Sequence, residues 1–578
     1  MKKQQLAAII CIPLCLIKII ACGGDTDKEP SPSPEPALPE PYAQKLTNIN
    51  ISDNLIFFAA EVDDDRFELF SIDPTTGSRN NISDIFSAKN SLQPISISED
   101  GTKVAYRADK NNDGIDELYS NLVDGSTEVM LTDSLPTYDV NTQGLQVINW
   151  QWLPDSSRII FRNDSDEDGI LEIQSILPDG NDLQILSDEL STICDGQICW
   201  KISSDSAFIL FKAQLSDQSP QNLHAVSTTA VGLTQLNQTL STNSEIIQWE
   251  FSPDNSLVSY ISHNAGEPRE LYTILPDASQ RTLLNGGSLS LGVMEFKWAL
   301  KIPRIAFTED YPNPGQPNLF TDIADATDRI QMIDTFKVAA PNIINWQWSP
   351  DSSHITYLAD QETLGVFELF NVQNDGTWHR KLNETLPLDG VVHSQWQWSP
   401  NSDFIAYYSD LEIAVTYDEL FVVSTDTSQR NQINSLHSNK LKITQNHWLE
   451  DGSRLIYTTV DTNGNILAIY SVLPDSSQVI QLTNETSDTE FINDNYSVSP
   501  DGTKILYQIS ASDGSNSKLQ IGSIHTTNRT DLGVQGNIID AYWLKDSSRI
   551  VYVYQTDANK SQQLYSILPD ATGRVNLY

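Results

Sequence analysis

The chain has 578 residues, with 77 acidic against 35 basic side chains and a formal net charge of −42. So acidic a surface repels phosphate backbones and anionic headgroups, which excludes nucleic acid as a partner and favours cations or basic partners; it also keeps the chain soluble in a salty or crowded exterior. After the first two dozen residues there is no long apolar run, so nothing later in the chain reads as membrane-spanning.

The chain opens with MKKQQLAAIICIPLCLIKIIACGG. Two lysines followed by a short apolar run have the outline of a secretory signal over residues 1–21. Its end, Ile19-Ile20-Ala21-Cys22-Gly23, resembles the bacterial lipobox, in which the cysteine is lipidated and becomes the new first residue. The plainer reading is an ordinary signal peptide, or an uncleaved anchor, with a chance cysteine. In Gram-negative lipoproteins a glycine after the lipidated cysteine implies sorting to the outer membrane. The expected address is therefore an outer-membrane lipoprotein facing the periplasm or the cell surface, touching the membrane only through its lipid. Residues 22–41 are proline-rich and acidic, with too little to bury to repay the entropy of folding. Extended at about 3 Å per residue they form a tether of roughly 60 Å.

From there the sequence repeats. Taking the residue after the proline of WSPD as an anchor gives Asp53, Asp100, Asp155, Asp205, Asp254, Lys301, Asp351, Asn401, Asp451, Asp501 and Asp546, at steps of 45 to 55 residues. Eleven units, numbered here 1 to 11, fill the chain to its end. In unit 3, VINWQW alternates β-branched and aromatic residues as a strand does, and LPDSS follows with proline placed for a type I turn. RIIFRN, LEIQSIL and LQILS supply three more strands. Four short antiparallel strands every fifty residues, with no helical periodicity, predict an all-β fold, a β-propeller of about eleven four-stranded blades. All the tryptophans except Trp378 fall on first strands, where large flat side chains fill the wedge between neighbouring sheets.

Two loops in units 2 and 3 carry the one metal-binding pattern. DKNNDGIDE supplies Asp109, Asn111, Asp113, Ile115 and Glu117; DSDEDGILE supplies Asp164, Asp166, Asp168, Ile170 and Glu172. Oxygen ligands at alternate positions, a glycine for the bend, an isoleucine carbonyl and a closing glutamate suit one calcium ion per loop in a structural role. The plainer reading is an acidic hairpin loop. Next along the chain, Cys194 and Cys199 flank an Asp-Gly turn and form a small local disulfide in an oxidising compartment. FKWALKIPRIAF, around Lys301, has lost the Ser-Pro-Asp turn and marks a seam between two tandem rings, 42–295 and 296–578; one large ring is the alternative. Trp378, in NDGTW, reads as an exposed tryptophan on a turn.

WQWSPDSSHITYLAD with GVFELFNVQNDGT, and VSPDGTKILYQISASDG with KLQIGSI, resemble the TolB-type propeller repeat of bacterial envelope proteins, and the resemblance covers about residues 50–578. It implies the propeller fold and an envelope setting. TolB's additional α/β domain has no counterpart here, so its partnerships do not carry over residue by residue. No G-x-S-x-G elbow and no metal-ligand histidine spacing is present. The expected function is a non-enzymatic scaffold binding an envelope protein or glycan; the alternative is a propeller hydrolase or lyase acting on polysaccharide. Clustered histidine, arginine and carboxylate groups at a channel mouth would favour the alternative.

Overall fold

The structure, a computed structural model, describes residues 46–578 apart from 52–54, 64–65, 84–85, 88–94, 111–116, 133–148, 164–171, 188–199, 215–219, 230–231, 287–290, 311–315, 334–335, 339–340, 388–389, 411–418, 434–441, 462, 484–489, 512–515 and 557–560. All regular structure among the described residues is strand, in antiparallel sheets whose order follows the chain. Unit 3 has the expected form. Trp150–Trp152 pairs with Ile159–Asn163, that strand with Glu172–Ile176, and the last with Gln184–Ile185. The protein is thus an all-β propeller built from the predicted repeat.

The hairpin after each first strand explains the recurring phrase. In unit 3 the Ser156 N–H donates to the Leu153 carbonyl at 2.8 Å, closing a turn with Pro154 and Asp155 at its centre. Ser156 itself then lies at φ 61°. Ser206, Ser352, Ser402 and Ser547 share this left-handed conformation, as do Asn255, Gly452 and Gly502. The anchor carboxylate holds the turn from inside, Asp155 accepting both the N–H and the hydroxyl of Ser157.

Sheets pack face to face through one apolar cluster per junction. The cluster of units 5 and 6 joins Ile261 and Leu271 to Phe296 and Phe307. That of units 6 and 7 joins Ala306 and Leu319 to Trp346 and Tyr357. The series ends by joining unit 11 to unit 1, with Leu544, Val551 and Leu564 against Leu46, Phe58 and Phe70. Polar contacts cross the same junction: the Ser566 hydroxyl donates to the Pro74 carbonyl at 2.5 Å, and Leu46 N–H to Gln562 Oε1 at 2.7 Å. Across the expected boundary at 295/296 the packing is continuous. Unit 6 has lost its turn residues, yet it buries Phe296 and Phe307 on one side and Ala306 on the other, so both its faces continue the series. Residues 42–578 form one compact unit.

Within most sheets an aromatic pair bridges the second and third strands, a feature the tryptophan pattern does not announce; in units 3 and 10 a glutamine, Gln174 and Gln520, faces the aromatic instead. Tyr260 stacks on Tyr272 at 5.4 Å, Tyr357 on Phe370 at 5.4 Å, Tyr457 on Tyr470 at 5.3 Å and Tyr552 on Tyr565 at 5.4 Å. Arginines on the outer part of the sheet cover several of these pairs, Arg281 lying 4.7 Å from the Tyr272 ring and Arg574 4.3 Å from Tyr565.

Candidate functional site

Most of the residues singled out from the sequence, Cys22, Cys194, Cys199, Asn111, Asp113, Ile115, Asp164, Asp166, Asp168 and Ile170, lie outside the described residues. The frame of the two acidic loops is described: Asp109, Glu117 and Glu172 are 4 %, 3 % and 4 % exposed. The repeat gives these positions sheet-building work. Nine residues after their anchors, as Asp109 is after Asp100, stand Asp310 and Asp360. Asp310 accepts the N–H groups of Leu291 and Gly292, each at 2.8 Å, and Asp360 those of Asn342 at 2.6 Å and Gly365 at 2.9 Å. Glu117 accepts the Tyr119 hydroxyl at 3.4 Å and Glu172 the Gln174 amide at 3.3 Å, just as Glu270 takes the Tyr272 hydroxyl at 2.7 Å.

The described residues offer a different candidate, along the first strand of unit 9, Lys442–Trp448, and its turn. Its origin lies in a departure from the repeat. At five junctions the left-handed serine of one unit accepts the anchor N–H of the unit before it: Asp100 to Ser156 at 3.0 Å, Asp155 to Ser206 at 2.9 Å, Lys301 to Ser352 at 3.0 Å, Asp351 to Ser402 at 3.0 Å and Asp501 to Ser547 at 2.9 Å. Between units 9 and 10 the serine is replaced by Gly502, and a Cβ built there would meet nothing within 4 Å. A cleft of about 610 Å³ opens at this place, lined by His447, Trp448, Glu450, Asp451, Asp501, Gly502 and His525 among others.

Its electrostatics follow from where each group sits. His447 stacks on Tyr496 at 6.1 Å, and burial lowers its pKa, which keeps the imidazole neutral and able to accept a hydrogen bond. Asp451 is held below the usual carboxylate range, chiefly by the Ser453 N–H and hydroxyl, with a contribution from the charge of His525. Asp501 is also lowered: burial opposes the shift, and the Ser499 and Thr503 hydroxyls, the Thr503 N–H and Lys504 outweigh it. Trp448 fixes the strand from behind, donating Nε1–H to the Gln397 carbonyl at 3.3 Å. The cleft therefore presents ionised carboxylates from two units beside a neutral imidazole, an arrangement rich in acceptors. A second cavity of about 230 Å³ adjoins the same strand on the unit 8 side. Both were missed in the sequence, although the serine-to-glycine change in the repeat was visible there.

No protein-family profile matches the chain, and no curated protein matches it. Among solved structures it is similar to a protein described as a putative TolB from Agrobacterium tumefaciens, with 15 % identity over 43 % of this chain and 83 % of that one and a TM-score of 0.25. It is also similar to an oligogalacturonate lyase in complex with manganese, with 13 % identity over 63 % and 96 % and a TM-score of 0.29. A third similarity is to Porphyromonas gingivalis dipeptidyl peptidase 4, with 11 % identity over 73 % and 65 % and a TM-score of 0.39.

Proposed function

We propose that the protein is a non-enzymatic binding lipoprotein of the bacterial outer membrane, with its propeller leashed by residues 22–41 and anchored through Cys22. It presents the open strip along unit 9 to an envelope protein or glycan. The observation that carries this reading is the cleft at Gly502, formed where five other junctions place a serine hydroxyl that joins two units. The rigid sheets supply preorganisation, and the carboxylates of Glu450, Asp451 and Asp501 favour a ligand rich in hydrogen-bond donors. Calcium in the loops 109–117 and 164–172 belongs to the same reading as a stiffening element. We also infer that the eleven units form one closed ring, supported by the packing of unit 11 on unit 1.

The test is to fill the cleft. Gly502→Ser restores the residue found at the same φ in other units. Immobilised protein is presented with envelope protein and glycan fractions, and the captured species is then titrated against the variant. Retained melting with at least tenfold weaker binding supports the reading; unchanged binding of the same species refutes the cleft as the site. Lipidation is read separately, as fatty-acid labelling lost in Cys22→Ala.

A second reading, a polysaccharide hydrolase or lyase, is favoured by His447 and His525 lying with three carboxylates in one cleft. Turnover of a polysaccharide panel, abolished by His447→Ala in protein that still folds, would replace the first reading.

A further inference from the structure

We propose that the smaller cavity, between units 8 and 9, is a subsite for a neutral saccharide. This deepens the binding reading above and rests on it. Gln395, Trp396, Gln397, Ala406, Tyr408, Thr444, Gln445 and Asn446 line it, and none of them carries a charge. The strands around it, Ile343–Trp348, Val391–Trp398 and Lys442–Trp448, contain no carboxylate either.

The amides here are released from a duty they perform elsewhere. Gln395 stands six residues before its anchor, as Gln248 and Asn345 do, and Gln397 four before, as Gln151, Lys201 and Lys297 do. All five of these counterparts bond across to the next unit. Gln248 donates to the Phe296 carbonyl at 2.7 Å and accepts its N–H at 3.1 Å, and Asn345 donates to the Ser394 carbonyl at 2.9 Å. Gln151 accepts the Trp200 Nε1–H at 3.2 Å, while Lys201 and Lys297 reach the Trp249 and Trp346 carbonyls at 2.9 and 2.6 Å. Among the described residues the side chains of Gln395 and Gln397 make no such bond, and both are exposed. The cavity occupies the junction they leave unbridged.

A further observation points to a missing donor. Asn446 gives its amide N–H to the Tyr408 hydroxyl at 2.9 Å, and its Oδ1 is buried with no hydrogen-bond partner. A buried acceptor left without a donor is destabilising, and a ligand hydroxyl would supply the missing bond. Planar amides carry both donor and acceptor, so they suit the vicinal hydroxyls of a sugar, each of which is also both. A volume of about 230 Å³ is below the ~300–1,000 Å³ of pockets for drug-sized ligands and suits a single sugar ring.

The test titrates the purified protein with glucose, galactose, N-acetylglucosamine and their disaccharides, with galacturonate as the charged comparison, by saturation-transfer NMR and calorimetry. At least one neutral sugar should bind, and Gln395→Ala and Gln397→Ala should each weaken it about tenfold with the melting temperature unchanged. Gln151→Ala should leave that affinity intact. The proposal is overturned if no neutral sugar binds the folded protein, if galacturonate alone binds, or if both glutamine variants bind like the parent. Failure of this kind leaves the cleft at Gly502 standing, because that site is judged by the separate Gly502→Ser comparison.

Discussion

His224 stacks on Phe211 at 5.8 Å in the third strand of unit 4, and burial pushes its pKa down to about 4. Above about pH 6.5 the ring is neutral in both folded and unfolded chains and costs nothing. As the pH falls from there through about 4, the unfolded chain takes a proton that the folded one refuses, so stability is lost, by about 3 kcal/mol in full. His224→Phe, which imitates the aromatic pairs of other units, should abolish that part of the loss. Urea midpoints of parent and variant at pH 7 and 4.5 measure it; equal losses in both would show that the ring is not the cause. The acidic loops are tested at the same scale. Calcium should raise the melting temperature of chelator-stripped protein, and Asp166→Ala with Asp168→Ala should shrink that rise, since each removes one oxygen ligand. A melt indifferent to calcium would reduce both loops to their sheet-building frame of Asp109, Glu117 and Glu172.

At the scale of the element, the hairpin after each first strand reverses the chain and, at five junctions, also joins two units. Ser402 makes the argument testable: its hydroxyl accepts the Asp351 N–H at 3.0 Å, and its φ is 64°. Ser402→Ala keeps the backbone strain and loses the bond, so it should cost about 1 kcal/mol, read as a lowered denaturant midpoint at unchanged m. Gly502→Ser is the reverse experiment, adding a hydroxyl at a position with room for it; its stability should stay within about 1 kcal/mol of the parent, since the gained bond and the left-handed strain oppose each other. Strand Arg529–Trp543 shows another use of an element. Its first half closes unit 10 on Ser517–Ser523 and its second half opens unit 11 on Ile550–Gln555, so these two units share one uninterrupted strand.

At the scale of the molecule, the question is how the two ends meet. Unit 1 comes wholly from the start of the repeat region and unit 11 wholly from its end, so no strand is exchanged between them. Sheet packing holds the junction, with Tyr578 against Phe58 at 5.1 Å and Phe70 at 5.5 Å, and Arg79 5.1 Å from its ring. Tyr578→Ala should therefore cost about 2–3 kcal/mol, because its ring packs into the junction of units 11 and 1. The fragment 42–295 should fail to fold alone, because it exposes the apolar faces of units 1 and 5 that the intact chain buries. A native-like β spectrum and a sharp melt from that fragment would favour two rings over one.

The repeat itself was legible because strand alternation, turn residues and the spacing of the tryptophans are local properties, and each unit restates them. WQWLPDSS specifies a strand, a turn and a strand wherever it stands. Even the departures were readable: Gly502 for serine and the neutral run SQWQW lie in plain view. What they do was not. Whether Phe296 packs on unit 5, whether Tyr578 meets Phe58, and whether Gln397 finds a partner depend on which sheets become neighbours. The sequence by itself determined the blade and its count, since those rest on contacts within some fifty residues. Only the tertiary structure decided which junctions are joined and which stand open, because those contacts form between side chains a full repeat apart, or between the two ends of the chain.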